Sequence, residues 1–242
     1  MMDTAPHYKI EHWTDATAVT GYKNRTATEI TVNDRAATRQ AVITRIRQGG
    51  YDFVERSDWG AHKNRPDQMT DDWNYYSIAI HHAGRSHACG PAALQLQEIQ
   101  EEQMVRIKAN DIGYHYAIDC YGTIYEGRDI RFKGEHVHDH NTGVIGLVLL
   151  ENLAEPNEGG DAVAKIKSFL NSMGYSRRPT VPNDQKLAAT MLVKVLREFF
   201  PITVLGGHRE YPGQAKEGKI CPGSVGLFMV KELRTSLGLS AP

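Results

Sequence analysis

The chain is 242 residues long, enough for one large domain or for one domain with an appendage. Its 28 Lys+Arg against 29 Asp+Glu leave a formal charge of −1, so no global field draws it to nucleic acid or to an anionic membrane surface. Hydrophobic residues make up 40%, a globular rather than a disordered composition, and the longest apolar run, Val144 to Leu150, falls far short of the ~20 residues of a spanning helix.

The opening Met1-Met2-Asp3-Thr4 carries no basic stretch followed by an apolar core, so synthesis in the cytoplasm without an ordinary secretory signal is expected. Three cysteines, Cys89, Cys120 and Cys221, cannot all pair within one chain. The compartment then makes Cys89 and Cys120 free thiols.

Residues 1–55 are polar and weakly periodic, with a helix expected from Ala36 to Gln48 and stopped by Gly49-Gly50. Tyr75 to His82 reads as a buried strand, with Tyr76, Ile78 and Ile80 on one face and Ser77, Ala79 and His81 on the other. Ala92 to Asn110 reads as a helix with Leu96, Ile99 and Ile107 on its apolar stripe and Met104 at the edge. Two short strands, Tyr114 to Asp119 and Thr123 to Glu126, flank the Tyr121-Gly122 turn. Val144 to Leu150 is a continuous apolar run, as a strand covered on both faces would be.

A helix from Ala162 to Met173 is expected next, within a longer stretch of about 155–183. The helix from Asp184 to Phe200 carries the widest stripe, Leu187, Ala188, Met191, Leu192, Val195, Leu196 and Phe199, and Pro201 ends it. Ile202 to Leu205 is a short strand that delivers Gly206-Gly207-His208, and a last helix spans Leu227 to Leu237. Strands alternating with helices predict an α/β domain with a mixed central sheet flanked by helices.

Two histidines, His81 and His208, stand where strands run out into loops, the place where α/β sheets build ligand sites. Cys221 follows His208 after a charged, Gly-containing loop. Two imidazoles and a thiolate make a three-ligand zinc set with one position open, the arrangement of a hydrolytic site. Spacing alone does not decide it: no compact motif such as His-Glu-x-x-His is present, and a histidine of this kind is more often a satisfied polar group. If Lys219 to Cys221 is extended, residues two apart share a face and the ammonium sits beside the metal. His136, His138 and His140 alternate and mimic a metal set of their own.

The surrounding strings carry a resemblance. Ile78-Ala79-Ile80-His81-His82, Asn110 to Tyr116, Asp119 to Arg128, Gly134-Glu135-His136, Ile145-Gly146-Leu147, Gly207-His208-Arg209 and Lys219 to Gly223 occur in this order. Together they make the chain resemble the zinc-dependent type 2 N-acetylmuramoyl-L-alanine amidases, a family of phage lysozyme-type amidases and animal peptidoglycan recognition proteins. The likeness covers roughly Ser57 to Leu237, with Ser57-Asp58-Trp59-Gly60 similar to the opening of the recognition-protein branch. It implies one domain over 56–238 with a helical insertion at about 155–183. It leaves residues 1–55 as an unmatched N-terminal extension, either a delivery or docking segment or a support packed behind the sheet.

Carried over by position, the resemblance implies His81, His208 and Cys221 as ligands of one Zn2+, Tyr114 beside the attacking water and Lys219 as the oxyanion stabiliser. It places His136 in the substrate cleft and leaves His138 and His140 on a solvated loop. It matches Asn141 and Asn152 to the family's cleft strand and its end, with Asn141 and His82 as substrate-side residues, His82 alternatively as packing. Arg128 either binds a substrate carboxylate or supports its loop. The chain departs from the recognition proteins at Cys89, which has no close cysteine partner.

The activity implied is hydrolysis of the amide between N-acetylmuramic acid and the L-alanine of the peptidoglycan stem peptide. A peptidoglycan-binding module without catalysis and a cytoplasmic muropeptide-recycling amidase are the alternatives, and the presence of Cys221 with Lys219 favours catalysis. A wall-lytic enzyme without a signal acts after phage lysis or specialised secretion, and in the second case an immunity protein is an expected partner.

Overall fold

The computed structural model describes residues 7–11, 27–31, 34–61, 63–84, 89–155, 158 and 180–242. The helix expected at Ala162 to Met173 lies outside the described residues. The chain forms two compact units, Met1–Ala41 and Val42–Pro242. In the first, β1 (His7–Glu11) pairs antiparallel with β2 (Ala27–Thr31), from His7 opposite Thr31 to Glu11 opposite Ala27. Helix α1 (Asp34–Gln48) begins in this unit and runs into the second.

The second unit takes in more of the N-terminal segment than the boundary at residue 55 predicts. Val42, Ile43 and Ile46 on α1, and Phe53 on β3 (Phe53–Val54), are all buried in its main core. Helix α2 (Arg56–Trp59) follows, then β4 (Ser77–His82), α3 (Ala92–Arg106), β5 (Tyr116–Ile118), β6 (Ile124–Glu126) and β7 (Val144–Leu149). Then come α4 (Asn183–Phe199), β8 (Val204–Gly207) and α5 (Gly223–Leu237). The strands form one six-stranded sheet in the order β3-β6-β5-β7-β4-β8, with only the β5–β6 pair antiparallel. The expected mixed sheet flanked by helices is what the chain builds.

The period-two alternation of strands sorts the side chains into two layers. Ile78 and Ile80 of β4, Tyr116 and Ile118 of β5, and Ile145, Leu147 and Leu149 of β7 join α1, α4 and α5 in the main core. Each such aliphatic side chain contributes about 1.5–3 kcal/mol on burial. On the opposite face Ala117 and Val148 pack with Trp59 and with Ala92, Leu96 and Ile99 of α3. Ala79 faces that side too, beside Val137 and Tyr211, and His81 is two residues further along the same face. The thinner layer is where the site lies.

Several expected positions shift. Helix α3 ends at Arg106, and Ile107, expected on the stripe, is 63% exposed just beyond it. Tyr76 precedes β4 and is half-exposed, and Leu187 on α4 is also half-exposed. Helix α5 starts four residues before Leu227, immediately after Cys221-Pro222. Cys89 and Cys120 are not free thiols: they form a disulfide with Cα atoms 5.5 Å apart, because the turn after β5 carries Cys120 up to the segment preceding α3.

Candidate metal centre

The register of two parallel strands creates the site. Strand β8 pairs with β4 from Ser77–Val204 to Ile80–Gly207, so the next residues along each strand are His81 and His208. Their rings lie 4.6 Å apart between centroids. Cys221 reaches the same point from the start of α5, with Sγ 3.6 Å from Nδ1 of His81. One donor atom from each of His81, His208 and Cys221 lies within 4.8 Å of the others. Ligands of a tetrahedral zinc, bound at about 2.0–2.3 Å, sit about 3.5 Å apart, so this donor set fits the ion.

The electrostatics agree with that fit. Burial holds His81 far below its ordinary pKa, with His208 and His136 adding to the effect. His208 is lowered as well, by burial first and by Lys219. Burial pushes the Cys221 thiol up to about 12, against the backbone N–H of His82 and the charges of Arg209 and Lys219. Two neutral imidazoles thus offer lone pairs, and the thiol exchanges its proton for a cation when one binds.

His136 borders the cleft and also backs the centre. Its ring fills a slot between two glycines: a Cβ on Gly134 or Gly146 would come within 2.4 or 2.5 Å of its Cδ2. Its Nε2 donates to the carbonyl of Val144 at 3.2 Å, which leaves Nδ1 to accept from Nε2 of His81 at 3.1 Å. That bond leaves Nδ1 of His81 as the lone pair directed to Cys221.

The other residues expected on the substrate side have partners within the fold, and of them Asn141 also lines the cleft. The side-chain oxygen of Asn141 accepts from the backbone N–H of both His136 and Val137, both at 2.8 Å. Arg128 is 1% exposed and donates to the carbonyls of Ile112, Lys133 and Asp111, so it supports its loop. Nδ1 of His82 accepts from the N–H of Leu153, while its own backbone N–H donates to Cys221 Sγ at 3.4 Å. Asn152 caps a turn through a bond from the N–H of Ala154. His138 is exposed beside Glu217 at 3.4 Å, so the alternating histidines build no metal set.

A cleft of about 690 Å3 opens over the centre, lined by Tyr114, His136, His208, Gln214 and Lys219 among others. The Tyr114 ring lies 4.9 Å from that of His81. Burial, with Cys221 nearby, raises the phenol above its ordinary value, so it stays a hydrogen-bond donor. Gln214, which nothing in the sequence singled out, is 1% exposed beneath the cleft. It is an amide in a polar loop, and only its burial distinguishes it from its neighbours.

The model of the family described as N-acetylmuramoyl-L-alanine amidase matches residues 78–224, from β4 to just past Cys221, and so holds all three donors. The chain belongs to the type 2 N-acetylmuramoyl-L-alanine amidase family. Peptidoglycan-recognition protein SD of Drosophila melanogaster is 31% identical over 127 residues, 51% of this chain and 67% of the relative. Peptidoglycan-recognition protein SC2 of the same species is 35% identical over 106 residues, 43% of this chain and 56% of the relative. The chain therefore spans between half and two thirds of these relatives. An endolysin N-acetylmuramoyl-L-alanine amidase of Clostridium intestinale superposes with a TM-score of 0.56 at 21% identity, over 78% of this chain and 97% of that one, a likeness of fold. The amidase-family segment coincides with the part of the sheet that carries the site.

Proposed function

We propose that the protein is a zinc-dependent N-acetylmuramoyl-L-alanine amidase that cuts the amide joining N-acetylmuramic acid to L-alanine in the peptidoglycan stem. The observation that carries this reading is the convergence of His81, His208 and Cys221 at the base of an open cleft that Tyr114 and Lys219 also line. Held by these three, zinc supplies a nucleophilic water and polarises the amide carbonyl. The chain's own residues do the rest. Lys219, a cation on the cleft wall, stabilises the negative charge that develops on the amide oxygen. Tyr114 donates its phenolic proton as a hydrogen bond next to His81 and orients the reacting groups.

The setting we propose is lysis of a bacterial wall outside the cytoplasm, after phage release or specialised secretion. The Cys89–Cys120 disulfide supports an oxidising site of action and speaks against cytoplasmic recycling. Among the described residues no helix is long and apolar enough to cross a membrane. If the route is secretion, an immunity protein that covers the cleft is the expected partner of the producing cell.

The test is digestion of purified sacculi. Free stem peptides beginning with L-alanine, together with peptide-free glycan, are expected. New reducing sugar ends or cuts within the crosslinks would overturn the assignment, and binding without any release would make the protein a recognition module.

A further inference from the structure

One buried side chain joins three parts of the centre. Oε1 of Gln214 lies 3.0 Å from Nε2 of His208, and Nε2 of Gln214 lies 3.0 Å from the carbonyl of His138 and 3.5 Å from that of Pro212. The backbone carbonyl of Gln214 accepts from the N–H of Lys219 at 3.2 Å. The two carbonyls settle which way the amide points. Reversing it would set its oxygen against both of them, so the NH2 group must face them and the oxygen must face His208. An oxygen there can only accept. His208 therefore carries its proton on Nε2 and offers Nδ1.

We propose that Gln214 is a positioning residue for the metal centre: it holds His208 in the Nε2–H tautomer with Nδ1 turned to the ion, and ties that ligand to the cleft wall at His138 and to the backbone of Lys219. This rests on His208 being a ligand, as the proposed function has it. The physical case is the general one for metal-binding histidines, whose ring is oriented by the bond its other nitrogen makes. Gln214 has the same relation to His208 that His136 has to His81. It differs in reaching Lys219 as well, so ligand geometry and the cleft cation share one anchor.

The experiment is a long-range 1H–15N spectrum of the histidine rings in full-length, metal-free protein, paired with zinc affinity measured by chelator competition. Wild-type His208 is expected as the Nε2–H tautomer. Gln214→Leu should mix the tautomers and weaken zinc by about 10–100-fold. Gln214→Glu still offers an oxygen to His208 but sets its second oxygen against both carbonyls. It should therefore keep the Nε2–H tautomer at a cost in stability and lose less zinc affinity than the leucine variant. A His208 protonated on Nδ1 in it overturns the proposal. A wild-type His208 protonated on Nδ1, or zinc affinity in Gln214→Leu within twofold of wild type, overturns the proposal. If the leucine variant does not fold, the wild-type spectrum and the glutamate variant decide it. Wild-type protein that holds the Nε2–H tautomer but binds no zinc would overturn the hydrolase reading while sustaining the tautomer lock.

Discussion

Nδ1 of His136 lies 3.1 Å from Nε2 of His81, and the bond between them aims the other face of His81 at Cys221. His136 is therefore not a ligand, yet the centre depends on it. Purified protein should contain about one zinc per chain, and Cys221→Ser should lose most of it. His136→Phe keeps the ring shape but removes the acceptor, and should weaken zinc by about 10–100-fold. His138→Ala should leave affinity unchanged. Metal analysis after dialysis against graded chelator checks all three.

The slot for that ring is set by Gly146, whose added Cβ would meet His136 at 2.5 Å. Gly146→Ala should cost about 1–3 kcal/mol of stability, the usual range for overpacking, and lower zinc affinity with it. Denaturant titration of the metal-free protein separates the two effects. A variant as stable as wild type with unchanged zinc affinity would show that the slot has room to spare.

Lys219 is exposed on the cleft wall and holds none of the ligands through its side chain. Its charge should matter where the transition state becomes negative, not for ground-state binding. Lys219→Ala should keep its zinc and its binding to sacculi while kcat falls by about 10²–10³. Peptide release at saturating substrate, measured beside sacculus pull-down, gives the answer. Near wild-type turnover would leave the reaction to zinc and Tyr114.

The Cys89–Cys120 link closes a loop of sequence separation 31, which contains α3 and β5. The chain-entropy model assigns such a loop about 3–4 kcal/mol. Cys120→Ser should lower Tm in oxidising buffer, and reducing agent should bring wild type down to the variant. Equal melting of both proteins in both buffers would mean that the link contributes nothing in solution.

Stability should also fall on acidification. His115 is completely buried, takes a bond from the N–H of Gly146 and donates to the carbonyl of Phe132. Burial lowers its pKa to about 4 from an ordinary 6.5. The unfolded chain then binds the proton first. The stability is fully present above about pH 6.5 and is lost progressively as pH falls towards 4, by about 2–3 kcal/mol for this group. Urea midpoints from pH 7 to 4, compared with His115→Gln, measure its share.

What the sequence determined by itself was everything that repeats along the chain or recurs as a string. Alternation in Ser77–His82 and the continuous apolar run of Val144–Leu149 marked the inner strands, and the 3.6-residue stripe of Asn183–Phe199 marked α4, because each pattern is a local consequence of which faces are buried. The strings around His81, Tyr114, His208 and Cys221, through the resemblance they carry, singled out three residues whose donor atoms the fold brings within 4.8 Å of one another. What only the tertiary structure decided were relations between segments distant in sequence. The parallel register of β4 and β8 brings His81 beside His208. The fold of the turn after β5 pairs Cys120 with Cys89 against the compartment argument. The positions of Val144 and Asn141 make His136 a support for His81 as well as a residue of the cleft wall, and Gln214 gives His208 its own buried anchor. A hydrogen-bond partner is chosen by geometry in space, and neither periodicity nor composition records which carbonyl a buried imidazole will meet.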